Sequence, residues 1–200
     1  EYVYNNLVFN GLTRMREDQV VEPELAESWQ FSEDLKTWTF RLRRGVRFHH
    51  GREMTSEDVV TTFRRIMDPA TSSPVRTNFD MVQGIEAPDR HTVIFRLSYA
   101  YGGFADILTD RIEQIPTEPS GTGPFRFRSW TPGDRLVMVR NPEYWEQGMP
   151  RLDQVELRVL PEMSVRIAAL QAGDLDVVWD LGPENIRQLR EARGVRVESI

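Results

Sequence analysis

Apolar and polar residues alternate most cleanly at Thr37–Arg43, where Trp38, Phe40 and Leu42 face one way and Thr37, Thr39, Arg41 and Arg43 the other. That two-residue period predicts a half-buried β-strand. Gly45 breaks it, and Val46 and Phe48 resume the alternation. The period changes at Thr55. A hydroxyl residue three positions before Asp58 is a helix-start signal, and Val59, Phe63, Ile66 and Met67 then form one apolar stripe. Arg64 and Arg65 lie near the negative helix end, and Pro69 stops the helix. Thr71–Thr77, rich in Ser and Pro, is expected as loop. Asp89-Arg90 reads as a hairpin turn into Thr92–Leu97, with Val93, Phe95 and Leu97 alternating.

Further along, Phe125–Trp130 is predicted to pair with Arg135–Asn141 through the turn Thr131-Pro132-Gly133-Asp134. Leu152–Leu160 reads as another strand, and Met163–Ala172 as a helix closed by Gly173. Leu175–Trp179 is expected to be a short strand, and Pro183–Ala192 a helix with proline in its first turn. Strand, helix, strand in that order predicts a parallel crossover. Near the N-terminus, Asn5–Leu12 reads as a short helix or extended entry, and Pro23–Trp29 as a short turn presenting Leu25 and Trp29. The fold class expected is a mixed α/β (α+β) one.

Composition narrows the function. At 200 residues and 40% hydrophobic content the chain can bury one substantial core or two small ones. A formal net charge of −6 opposes a nucleic-acid partner, which favours a basic footprint. No apolar run approaches the roughly 20 residues that cross a bilayer, and no secretory leader is visible. The opening Glu1-Tyr2-Val3-Tyr4 lacks an initiator Met, which is the expectation for a mature or excised fragment. Zero cysteines exclude disulfides, thiolate metal sites and thiol nucleophiles.

Candidate chemistry is sparse. Gly121-Thr122-Gly123 invites a phosphate-cradle reading, but Pro124 has no N–H to donate, no lysine follows, and the chain continues with strand alternation. A tight entry into a strand fits better. His49 and His50 are adjacent, so their side chains diverge, and His91 is isolated; a loop reading is favoured over a metal site. No G-x-S-x-G elbow occurs, so no catalytic residue, metal ligand or cofactor is expected. Trp145, after Asn141-Pro142 and Tyr144, reads as a packing anchor.

Five segments together carry a resemblance: PELAESWQFSEDLKTWTFRLRRGVRFHHG (23–51), MTSEDVVTTFRRIMDP (54–69), GTGPFRF (121–127), RNPEYW (140–145) and ALQAGDLDVVWDL (169–181). In this order they resemble the bacterial extracellular solute-binding proteins of family 5, the peptide, dipeptide and nickel binders of ABC importers. The resemblance implies a type II periplasmic-binding-protein-like fold in which two lobes close over a ligand. The chain is similar to lobe I only: a core subdomain (Ia) of residues 1–9 and 117–200, an extra subdomain (Ib) of residues 10–116, and no lobe II. Between Pro116 and Gly121 the family has a longer helical segment than the Thr117–Ser120 that stands here.

The implied ligand residues are Trp179 and Asp180, with Val75, Arg76, Asn78 and Phe79 closing from Ib. Val75 stands where oligopeptide binders have an aromatic. Implied partners are a peptide or other small-molecule ligand and an ABC transporter permease, the protein being a monomer. Implied location is periplasmic or extracellular, with a lipid anchor on the full-length protein in view. The ligand-sensing domain of a transcriptional regulator is the alternative, since some regulators carry the same module. A hydrolase would need a nucleophile with its base, and neither is visible.

Overall fold

A computed structural model describes residues 6–108, 119–192 and 194–198. Asn6–Val8 are helical, and two short strands follow, β1 (Thr13–Met15) and β2 (Val21–Pro23), paired antiparallel. The principal sheet is built from β3 (Ala26–Phe31), β4 (Thr37–Leu42), β5 (Val82–Asp89) and β6 (Thr92–Leu97), in the order β3-β4-β6-β5 and antiparallel throughout. The expected alternation in β4 holds: Trp38, Phe40 and Leu42 are buried. Across the ladder Trp38 stands opposite Phe95 and Phe40 opposite Val93, so the inward faces of both central strands coincide.

That inward face is covered by α1 (Ser56–Met67), whose Val59, Val60, Phe63 and Ile66 are buried. Its start is built as the spacing predicts. The Asp58 carboxylate accepts the Thr55 backbone N–H at 2.8 Å, satisfying a donor that the first turn would otherwise leave open. At the other end Pro69 halts the helix, and Asp68 accepts the Ala70 N–H at 2.9 Å. Phe63 packs edge-on against Phe95 at 5.1 Å, and Phe104, from α2 (Phe104–Ile107), closes the cluster against Trp38, Phe40 and Phe95. Such aromatic burial is the main stabilising term of this layer.

Two elements differ from the sequence expectation here. Pro23–Trp29 is not a turn: it holds the end of β2 and four of the six residues of β3, which pairs with β4. A bulge between Ala26 and Ser28 inserts Glu27 into the ladder and destroys the two-residue period that would have announced a strand. Strand β5 was equally hidden, because its register shifts twice, between Val82 and Gly84 and between Glu86 and Asp89, and it contains Pro88. It is an edge strand, where proline costs no ladder bond.

A second sheet contains β7 (Phe125–Thr131), β8 (Arg135–Arg140) and β9 (Gln154–Arg158) in that order. The hairpin turns at Asp134 N–H to Thr131 O, 3.0 Å, with Gly133 at φ +74°, a conformation that penalises other residues. Helix α3 (Met163–Ala172) ends at Gly173 and α4 (Pro183–Arg190) starts with its proline in the first turn, both as expected. Leu175–Trp179, however, is not a strand, and the parallel crossover is not formed. A strand exists through its neighbour's hydrogen bonds, and among the described strands none is paired with this segment.

The chain gathers into two compact units: the described residues up to Arg128 with Val137–Val155, and Ser129–Leu136 with the described residues from Glu156 onward. The expected Pro116–Gly121 shortening falls largely on residues 109–118, outside the described residues. Among the described residues, no helix is long and apolar enough to cross a membrane.

Candidate functional site

The glycines of the Gly121-Thr122-Gly123 turn serve close packing. A Cβ on Gly121 would sit 2.0 Å from the Val8 carbonyl oxygen, and one on Gly123 would be 2.6 Å from it. Gly123 N–H donates to Val8 O at 2.9 Å, so this amide is committed to the protein rather than offered to an anion. Beside the turn lies a buried polar cluster. Glu24, 3% exposed, accepts the Gly11 N–H at 2.6 Å and the Asn10 amide at 2.8 Å. The Asn10 carbonyl in turn accepts from the Thr122 hydroxyl at 3.1 Å and the Trp145 indole at 3.4 Å. Arg43 lies over the Trp145 ring at 4.7 Å and donates to the Glu24 carbonyl at 2.6 Å. Burial pushes the neighbouring Tyr144 phenol up to about 12, so it stays a neutral hydrogen-bonding group. Trp145 is therefore an anchor, as its motif suggested.

The two adjacent histidines diverge. His49 turns its ring to the glycine turn, whereas His50 stacks on Phe48 at 5.4 Å and reaches Ser120 Oγ at 2.7 Å. Among the described residues no three His, Cys, Asp or Glu groups are placed to hold a metal ion.

Each unit carries a cleft. In the first, a cavity of about 310 Å³ runs between α1 and the N-terminal segment, lined by Phe9, Asn10, Phe48, Met54, Phe63 and Thr122 among others. In the second, a hollow of about 350 Å³ is lined by Leu157, Val159, Leu175, Val177 and Trp179, with Arg158 and Arg166 at its rim. Both arginines are occupied: Arg158 pairs with Glu156 at 3.6 Å, and Arg166 donates to the Leu160 and Pro161 carbonyls.

The residues expected to hold a ligand have unequal surroundings. Trp179 is 54% exposed on that hollow, and Val177 beside it 67%, so an apolar surface stands open to a partner. Asp180, also exposed, follows in the left-handed region at φ +62°. In the first unit, Arg76–Phe79 form a single 3-10 turn. Val75 packs against the core, Arg76 pairs with Asp80 at 3.6 Å, and Asn78 is exposed. Phe79 corrects its expectation. It is 2% exposed, with its ring edge-on to Phe63 at 5.2 Å, so it is a core residue and presents no face to a ligand. The 3-10 turn rotates it inward, which a loop reading could not show. The two groups belong to separate units. Missed by the sequence reading were Leu157, Val159, Leu175 and Val177, the apolar surround of Trp179; their run of aliphatic side chains was the available signal.

The profile described as "Bacterial extracellular solute-binding proteins, family 5 Middle" matches residues 20–200. The oligopeptide-binding protein AppA of Bacillus subtilis is 28% identical over 190 residues, covering 86% of this chain and 35% of its own length. The probable D,D-dipeptide-binding periplasmic protein DdpA of Escherichia coli is 31% identical over 199 residues, covering 88% and 37%. Among solved structures, the periplasmic binding protein AgaA of A. tumefaciens R10, in complex with agropinic acid, superposes with a TM-score of 0.90 at 30% identity, covering 95% of this chain and 41% of that one. This chain thus spans little more than a third of the length of these curated relatives. The likeness establishes a periplasmic-binding-protein fold of mixed α/β class.

Proposed function

The chain belongs to the bacterial extracellular solute-binding proteins, family 5, and on that premise we propose that it forms one wall of a cleft in which the full-length protein captures peptides for an ABC importer. Family members are periplasmic or extracellular binding proteins rather than enzymes. The observation that carries the reading is the open indole of Trp179 on an apolar hollow, with the Asp180 carboxylate following it. An aromatic face with a few placed polar groups is the usual make-up of a small-ligand pocket. Trp179 stacks on or shields an apolar side chain, and Asp180 receives a cationic or zwitterionic group. Within the first unit, Val75, Arg76 and Asn78, at and beside the 3-10 turn, are candidate ligand contacts of their own, without Phe79. The ligand class follows the oligopeptide and dipeptide binders among the relatives.

The rest of the proposal is organisational. Residues 10–116 act as the extra subdomain Ib, and the remaining residues as the core Ia. The protein works as a monomer outside the cytoplasmic membrane, delivers to a membrane permease, carries no catalytic activity of its own, and is lipid-anchored in full length. The test uses the full-length protein. A peptide mixture is titrated while Trp fluorescence is followed, and the titration is repeated with Trp179→Ala. We expect at least about a tenfold loss of affinity, the scale of one buried aromatic contact. Unchanged affinity in a folded variant removes Trp179 from the site, and no saturable response to any peptide overturns the ligand class.

A further inference from the structure

His49 is placed to make a second kind of contribution. Its backbone N–H donates to Gly121 O at 2.9 Å, which pins the Phe48–Gly51 turn to the glycine turn that leads into β7. The ring completes the clasp with both of its nitrogens. Nε2 lies 3.0 Å from the Gly123 carbonyl oxygen, and Nδ1 accepts the Gly121 N–H at 3.3 Å. Gly123 O can only accept, so Nε2 carries a hydrogen. Gly121 N can only donate, so Nδ1 carries none. This pair of contacts selects one species, the neutral imidazole with its proton on Nε2. An imidazolium would place a second N–H against the Gly121 amide. The glycine turn has little freedom to retreat, since Gly121 and Gly123 already approach the Val8 backbone too closely to accept a Cβ. Asn141 also holds Gly123 O, at 3.0 Å.

We propose that His49 is a proton-sensitive clasp between the Phe48–Gly51 turn and the Gly121–Gly123 turn, closed when its ring is neutral and opened by protonation. The surroundings agree. Burial holds the ring below the usual imidazole range, an effect that outweighs the favourable Gly123 contact. The charged groups acting on it are Arg126 on β7 and His50 on its own turn, and both oppose a proton on His49. Arg126 is itself fixed, by Asn141 Oδ1 at 2.8 Å and by Glu143 at 2.9 Å, so Glu143 is already engaged with a cation. The sign follows from linkage. A base whose folded pKa is depressed leaves the unfolded chain to bind the proton first. The clasp's contribution is therefore complete above the unfolded value of about 6.5 and is lost as pH falls toward the folded value.

The effect is local and reversible, and it separates His49 from a histidine that merely fills space. The chain is labelled with ¹⁵N and titrated from about pH 8 to pH 4 while the ring nitrogens and the Gly121 amide are followed. Expected are the Nε2–H tautomer at high pH, a His49 midpoint below the ordinary imidazole value of about 6.5, and a Gly121 amide shift that moves with the His49 midpoint. His49→Gln keeps a donor for Gly123 O and removes the titration, so the Gly121 shift becomes flat with pH while the fold is retained. A His49 midpoint at or above about 6.5, an Nδ1–H tautomer, or a Gly121 shift indifferent to His49 overturns the proposal. Should His49→Gln fail to fold, the wild-type titration alone decides between these outcomes.

Discussion

Trp38 shows what a single residue contributes to this fold. Its ring is 2% exposed, lies 4.8 Å from Phe31 and 5.8 Å from Phe104, and its indole N–H donates to Leu35 O at 3.2 Å. Truncation removes the burial, leaves a cavity and takes one donor from the Leu35 carbonyl, which keeps the Tyr101 N–H at 3.4 Å. Trp38→Ala is expected to cost about 3–5 kcal/mol, read as a lower melting temperature and urea midpoint. An unchanged midpoint would show that the β4 register is wrong. Phe79 makes the converse point. Its sequence neighbours Arg76 and Asn78 are accessible or partly so, yet one turn of 3-10 helix carries it into the same aromatic cluster.

At the scale of elements, α1 is the one whose ends are most fully specified. Arg52 holds Asp58 with two contacts, 2.7 and 2.9 Å, while Asp58 caps Thr55. Burial works against ionisation of Asp58, but the hydrogen bonds from Arg52 and Thr55 outweigh it and hold its carboxyl below the usual range. A carboxylate with a depressed folded pKa stabilises above its unfolded value near 3.8, and that contribution is lost as pH falls through the folded value. Asp58→Asn keeps an oxygen able to accept the Thr55 N–H but loses the charge, so it should cost about 0.5–1 kcal/mol at neutral pH through the partly exposed Arg52 pair and the weakened, no longer charge-assisted cap. The difference between wild type and variant should shrink as pH falls below the unfolded value near 3.8, followed by urea denaturation at each pH. A difference independent of pH would place the cost elsewhere than in the carboxylate.

For the whole molecule, the two units are unequal in what they bury. The first holds the cluster built on Trp38, Phe40, Phe63, Phe95 and Phe104. In the second, α3 buries only Ile167 and α4 only Leu189, and Val165, Val177 and Trp179 remain open. Local stability follows buried apolar contact, so amides of α3 and α4 should exchange at least about tenfold faster than those of α1. Hydrogen-exchange mass spectrometry at neutral pH reads this directly. Equal protection in the three helices would mean that the second unit is covered in solution. Such cover is also what the proposed peptide cleft implies: a ligand or the remainder of a longer protein should slow exchange around Trp179.

Local signals were enough for much of this architecture. The strands β4 and β6, the β7–β8 hairpin with its glycine turn, and α1 with its capped ends all follow from residues within a few positions of each other. Periodicity and caps are local physics, and the amino-acid order records them. The five ordered segments likewise pointed to the family before any contact was known. Pairing and burial are different, because they depend on what lies across the chain. The bulged strands β3 and β5 became strands only through their neighbours, and Leu175–Trp179 stayed irregular because no described strand pairs with it. Phe79 turned inward because a core was there to receive it. The Asn10–Trp145 and His49–Gly123 contacts join residues 135 and 74 positions apart, a distance that no local pattern encodes. Tertiary structure decided which glycine, histidine and carboxylate would meet, because only folding brings their hydrogen-bond partners within reach.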